Sequence, residues 1–231
     1  MARRASCPYN SLLRKCLAYQ KRYESRRLIL QQSIAVIRRA GTLLETADAL
    51  ERQAIFLHEA RATAGYWRAV GACLRLQDPD WRRQYPHARD PVNMAFNIGY
   101  TRLAQIVRPN IEASGLLPHI GILHGTGDDS NDMPLLYDMM ELFRQPVVDA
   151  VVIPFFTKHK QPLVKLSPRD IKRLVAAFER MLQRPVWFKG QCVPVRVIIE
   201  RELVSLRQAI ISGRVYVPYK HPWGHSWTCK I

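Results

Sequence analysis

Three helix starts are written into this chain as polar acceptors standing at or just before a proline: Asp90-Pro91, Asn131 or Asp132 ahead of Pro134, and Ser167-Pro168-Arg169-Asp170. Such a side chain accepts an otherwise orphaned backbone N–H, and proline at the first helical position loses no hydrogen bond. Apolar residues then recur at helical spacing, through NMAFNIGYTRLAQIV after Asp90, as far as Phe143 after Pro134, and to about Gln183 after Ser167. The same spacing predicts a helix from Asn10 to Ala40, with Leu12, Leu13, Cys16, Leu17, Leu28, Leu30, Ile34 and Ile37 inward and Gly41 ending it. Asp48 with Glu51 resembles a capping box opening a further helix to about Leu76, and Pro194 to Ser212 reads as the last helix. Only VWFKGQCVPV, around Gly190, reads as a hairpin. VVDAVVIPFF, to Pro154, is the buried end of a helix or a short extended piece. The expected fold is mainly α, a multi-helix bundle without internal repeats or heptads.

Charge narrows the partners. The 231 residues carry a formal charge of +16 and a pI near 10.1, which points to a polyanion, nucleic acid or an acidic membrane surface. Residues 1–39 hold ten Lys/Arg against one acid, Glu24, and residues 158–189 hold nine against two, including Lys158, Lys160, Lys165 and Arg169. Residues 128–149 invert the balance, with six acids against Arg144. Acids among phosphate-binding surfaces weaken binding unless a cation joins them to the phosphate. Hydrophobic content of 48% supports a globular core, and no apolar run approaches the roughly 20 residues of a membrane span. Nor does MARRASCPYN have the apolar core of a secretory signal, so a soluble, cytoplasmic protein is expected. Five cysteines without a CxxC pair argue against a zinc ribbon or a disulfide framework and fit a reducing compartment.

The chemistry concentrates in GILHGTGDDSNDMPLLYDMMELFR, residues 121–144. Asp138 and Glu141, three apart, share a helical face, and His124 stands at the mouth of a glycine-containing loop. Imidazole nitrogen and carboxylate oxygen suit a divalent cation such as Mn²⁺ or Mg²⁺; the bland reading is a satisfied core histidine and a solvated acidic face. Upstream, Glu59 is followed by the small residues Ala60, Ala62, Thr63, Ala64 and Gly65, which let another helix approach, and the carboxylate there is an ion-pair partner or a metal ligand. His58-Glu59 lacks the second histidine of HExxH; GILHGTG lacks the lysine of a phosphate loop; and DDSND has Met133 where a calcium loop needs glycine. Pro222 and Gly224 speak against a helical metal site at His221, His225 and Cys229. Trp81, Arg82, Arg83 and Tyr85 form a loop that grips phosphates and bases or is ordinary surface. Asn93, Asn97 and Tyr100 share a helix face, for hydrogen bonds within the bundle or for substrate.

Three motifs in order, LHEARATAGYWRAV, DPVNMAFNIGYTRL and GILHGTG with LLYDMMELFRQPVVD, resemble the CRISPR-associated integrase, the metal-dependent endonuclease of spacer acquisition. They span residues 57–149. The resemblance implies a fold like that family's C-terminal catalytic domain, with Glu59, His124 and Glu141 as catalytic residues and ligands of Mn²⁺ or Mg²⁺ and Asp138 in or near the shell. It also implies double-stranded DNA as partner, held by residues such as Arg82, Arg83, Asn93, Tyr100, Lys158, Lys160, Lys165 and Arg169. A homodimer or higher oligomer is expected, and docking of a small ferredoxin-like adaptation protein if the family's N-terminal β-rich domain is supplied. Fewer than about 50 residues precede the Glu59 helix; a compact variant or a shortened chain is expected. The organisation expected is a basic helical segment at 1–45, a metal-dependent catalytic domain at 46–215 and an aromatic, basic tail at 216–231. A transposon-type integrase of the same fold, or a non-catalytic basic nucleic-acid-binding helical protein, is the alternative.

Overall fold

The computed structural model describes residues 26–46, 52–74, 76, 78, 81–122, 132–158 and 163–219. Its elements are α1 (Arg27–Thr46), α2 (Arg52–Cys73), α3 (Pro91–Ala113), α4 (Pro134–Phe143), a π-helical segment (Arg144–Asp149), α5 (Ala150–Thr157), α6 (Pro168–Leu182), β1 (Pro185–Phe188), β2 (Gln191–Pro194) and α7 (Val195–Ile211). The fold is mainly α, as the helical spacing predicts. Two compact units divide it, Met1–His87 with Phe156–Leu163 and Ala88–Phe155 with Val164–Ile231. Among the described residues no helix is long and apolar enough to cross a membrane.

In the first unit α1 packs along α2. Leu30, Ser33, Ile34, Ile37 and Ala40 form the buried face of α1, at the spacing one helical face requires. Leu28, expected inward, is 67% exposed because it falls off that face. The helix also continues through Gly41 to Thr46. A glycine in a helix costs about 1 kcal/mol, which a long packed helix can absorb. The run of small residues on α2 allows the close approach that its sequence predicts: a Cβ on Gly65 would stand 3.4 Å from the Ser33 carbonyl oxygen of α1. Asp48 and Glu51 lie outside the described residues.

Helix α3 runs through the second unit against α4, the π segment, α6 and α7. Asp90 Oδ1 accepts the Asn93 N–H at 2.9 Å, the predicted cap. At the other end Gly115 adopts φ +69° and Leu116 N–H returns to Ile111 O at 3.1 Å, a glycine-terminated helix end. Gly99 makes the tightest approach, since a Cβ there would lie 2.5 Å from Val148 Cγ1 and 2.8 Å from Phe178 Cζ. Helix α6 opens with the predicted capping box, Ser167 with Asp170, and buries Leu174, Phe178 and Leu182. The hairpin forms in the register Val186 to Val193, turning through Lys189 at φ 46° and Gly190 at φ 82°, the paired positive φ of a tight two-residue turn. Cys73 is a buried free thiol, whereas Cys192 of β2 is disulfide-bonded, against the expectation of reduced cysteines.

The start of the expected tail belongs to the second unit. Tyr219 is buried, its ring stacked on Phe143 at 5.9 Å and edge-on to Phe188 at 5.5 Å. Glu202 of α7, itself buried, accepts the Tyr216 hydroxyl at 2.7 Å and the Tyr219 N–H at 2.9 Å. Burial, then the charge of Glu202 and its hydrogen bond, push the Tyr216 phenol well above its ordinary value. The neutral phenol is therefore favoured in the fold, so this stabilisation is whole below a pH of about 10 and is lost as pH rises beyond it. Tyr216→Phe should cost about 1–2 kcal/mol at neutral pH by depriving a buried carboxylate of one donor. Melting curves should show the wild type losing stability above pH about 10 more steeply than the variant.

Candidate active site

Helix α4 starts differently from the sequence reading. Met133 is its N-cap and provides no side-chain cap, Asp132 is exposed, and Asn131 lies outside the described residues. Pro134 occupies the first turn, and the Leu135 N–H donates to Pro118 O at 3.0 Å, so a loop carbonyl does the work expected of a side chain. From that start Asp138 and Glu141 emerge three residues apart, as predicted, but in unlike surroundings.

Asp138 is buried, and its Oδ2 accepts the Ile122 N–H at 2.6 Å. Ile122 stands two residues before His124, so this bond ties the run-up to the histidine loop to the helix that bears Glu141. His124 itself lies outside the described residues. Glu141 is half-buried and forms an ion pair with Arg144, one helical turn on. The Arg144 guanidinium lies 5.2 Å from the centre of the Tyr100 ring, a cation–π distance. The Tyr100 hydroxyl in turn donates to Asp149 Oδ1 at 3.0 Å, and Asp149 is buried. A chain of contacts thus runs from Glu141 through Arg144 and Tyr100 to Asp149, joining α4, the π segment and α3.

The π segment makes this possible. A proline in a regular helix lacks one donor and crowds the carbonyl four residues back. Pro146 stands inside Arg144–Asp149, where the Ala150 N–H reaches back five residues to Gln145 O. The wider turn accommodates the ring. The helical path then continues beyond Pro154 to Thr157, where the sequence left an extended piece open.

Several expected DNA contacts are placed differently from one another. Asn93 is fully buried and its Nδ2 donates to Asp90 Oδ2 at 2.7 Å, so it belongs to the helix cap and not to a DNA-facing surface. Tyr100 is half-buried with its hydroxyl turned to Asp149. In the first unit Arg82 is exposed, while Arg83 lies 5.8 Å over the Trp67 ring, itself edge-on to Trp81 at 6.4 Å. Lys158, Lys165 and Arg169 are exposed, and Lys160 lies outside the described residues. Lys172, Arg173 and Arg180 add to the exposed side of α6, opposite its buried Leu174 and Phe178. Arg102 of α3 and Arg196 of α7 both pair with Glu179 of α6.

Glu59 is half-buried on α2 in the first unit, and Glu141 belongs to the second. Among the described residues no three His, Cys, Asp or Glu side chains gather as a metal cluster. The donor chemistry nevertheless suits a hard divalent cation: Glu141 carries a carboxylate that already attracts a cationic group, and Asp138 steadies the approach to an imidazole. Arg144 and Asp149 are the residues that sequence spacing left without a role. A cation three residues after Glu141 on a helical path is the signal for the first; the second depends on a pairing across 49 residues.

Comparison with known proteins sharpens this picture. The chain is 33% identical over 144 residues to CRISPR-associated endonuclease Cas1 1 of Thermus thermophilus, covering 57% of this chain and 44% of that protein. It is 27% identical over 203 residues to the protein of that name from Saccharolobus solfataricus, covering 87% of this chain and 50% of the relative. The chain thus spans about half the length of the curated relatives it matches. Its fold resembles that of a casposase bound to integration product, with a TM-score of 0.68 at 19% identity over 94% of this chain and 63% of that one. It also resembles a Cas1 protein from Thermotoga maritima, with a TM-score of 0.64 at 20% identity over 93% and 69% of the respective chains. The family model described as CRISPR associated protein Cas1 matches residues 10–179, a stretch containing Glu59, His124, Asp138 and Glu141, and the chain belongs to that family.

Proposed function

We propose that the chain carries the active site of a metal-dependent DNA endonuclease and integrase, which joins the 3′-hydroxyl ends of short DNA fragments into CRISPR repeat DNA. Glu59, His124 and Glu141 would hold one Mn²⁺ or Mg²⁺, with Asp138 beside them. When bound, such an ion polarises the scissile phosphate and stabilises the charge that develops on it. The observation that carries the reading is the family match over residues 10–179, the stretch in which all four residues lie, together with a half-buried Glu141 already facing a cation.

The chain's own side chains do the positioning. Asp138 fixes the run-up to His124 relative to α4 through the Ile122 N–H, and Asp149 holds the Tyr100 ring beneath Arg144. In the joining step the incoming 3′-hydroxyl gives up its proton and forms a new P–O bond. The bond from that phosphorus to the cut strand's 3′ oxygen breaks, and that oxygen takes up a proton. No covalent enzyme intermediate is needed, and water in place of the hydroxyl gives nicking. Arg82, Arg83, Lys158, Lys160, Lys165 and Arg169 would hold the duplex backbone. Two-ended joining calls for paired active sites, hence a homodimer or higher oligomer, with a small ferredoxin-like adaptation protein as a further partner.

Phosphate contacts of this kind carry little sequence information and release counterions, so duplex binding should fall about 10³-fold or more between 50 and 200 mM salt if six phosphates are engaged. The decisive assay incubates the protein with supercoiled plasmid bearing a repeat, short duplex DNA and Mn²⁺, and sequences the junctions. Joining at the repeat's ends is the expected result. Junctions confined to the ends of a mobile element would favour the transposon-type relative, and binding without nicking or joining would overturn the enzymatic reading.

A further inference from the structure

The pairing of Glu141 with Arg144 has a consequence for how the site is filled. Glu141 is a proposed metal ligand, and its carboxylate pairs with the Arg144 guanidinium. That guanidinium is poised to part from it: its side chain is 34% exposed, and one of its faces rests on the Tyr100 ring, whose hydroxyl is held by the buried Asp149. An arginine anchored by its plane on an aromatic ring can exchange one anion for another without leaving its seat. Its fork geometry suits a phosphate as well as a carboxylate.

We propose that Arg144 is a stand-in cation for Glu141, neutralising the carboxylate while no divalent ion is present and turning to a DNA phosphate once Glu141 ligates one. The inference rests on the metal-site reading given under Proposed function. Two like positive charges within a few ångströms repel, so an arginine left beside Glu141 would oppose ion entry, and one drawn to phosphate would not. Ion and DNA should therefore bind cooperatively, each making room for the other, by the reciprocity that linkage demands.

The test measures Mn²⁺ binding by electron paramagnetic resonance on the full chain, with and without a short duplex, for the wild type, Arg144→Gln, Arg144→Lys and Tyr100→Phe. In the absence of DNA, Arg144→Gln should bind Mn²⁺ about three- to ten-fold more tightly, because its competitor for the carboxylate is gone. Added duplex should tighten Mn²⁺ binding by the wild type but do so less for Arg144→Gln. Arg144→Lys keeps the charge and should stay within about two-fold of wild type without DNA. Tyr100→Phe keeps the ring but loses the Asp149 bond, and should weaken the coupling between DNA and Mn²⁺ while the protein stays folded by circular dichroism. Unchanged or weaker Mn²⁺ binding by folded Arg144→Gln overturns the inference while leaving the metal site standing. Failure of the wild type to bind Mn²⁺ with or without DNA overturns the metal site, and the inference with it.

Discussion

Glu141→Ala is expected to lower strand joining and nicking by about 10³-fold or more while leaving the protein folded, the scale of losing a group that acts directly on developing charge. The side chain is half-buried and pairs with the neighbouring Arg144, so its removal opens no large cavity in the apolar core. A half-exposed pair of this kind contributes at most about 1 kcal/mol to stability, which separates the catalytic loss from any folding loss. Asp138→Asn should behave differently. It still offers an oxygen to the Ile122 N–H, so much of the positioning survives, and the loss should be nearer 10- to 100-fold. Single-turnover joining assays, read beside thermal melts of each variant, distinguish the two. Retention of full joining by Glu141→Ala would remove that residue from the site.

Gly99→Val is expected to be the most destabilising single change outside the polar site. A Cβ at this position of α3 would fall 2.5 Å from Val148 Cγ1 and 2.8 Å from Phe178 Cζ, and both neighbours are fully buried, so neither can step aside into solvent. Overpacking of this sort costs about 1–3 kcal/mol for added methylenes. A branched side chain belongs at or above the top of that range. The second unit's unfolding transition should move down by about 6–12 °C, taking about 2–4 °C per kcal/mol for a domain of this size. Gly65→Ala is the contrast: its nearest atoms would be 3.4 Å away, and the gain in helix propensity offsets the tight fit, so the change should stay within about 1 kcal/mol.

What the sequence made legible follows from the range over which each interaction acts. Asp90 capping Asn93 and Ser167 capping Asp170 are three-residue affairs, and both helix starts were readable. The same holds for the Gly190 hairpin, where the turn dictates the register of its strands. Where a distant partner contributes, local spacing gives no sign of it: the Pro118 carbonyl takes the Leu135 N–H at the start of α4. Asn93 carries a polar side chain on a helix face, and only its burial and its bond to Asp90 show that it points inward. Pro109 and Pro154 lie within helices, although each lacks the donor that would reach the carbonyl four residues back. Of the site itself, the spacing of Asp138 and Glu141 was apparent, while the aromatic support from Tyr100 and Asp149 awaited three dimensions.

The segment between Phe143 and Ala150 turns more slowly than the helices on either side of it. Each residue of an ordinary helix advances the direction of a side chain by about 100°. A π turn arises where a helix carries one residue more than regular winding needs, so losing one residue here would let a regular spiral form with the helices on either side still facing much as they do. What would be lost is the spare place that seats Pro146 without crowding the turn before it.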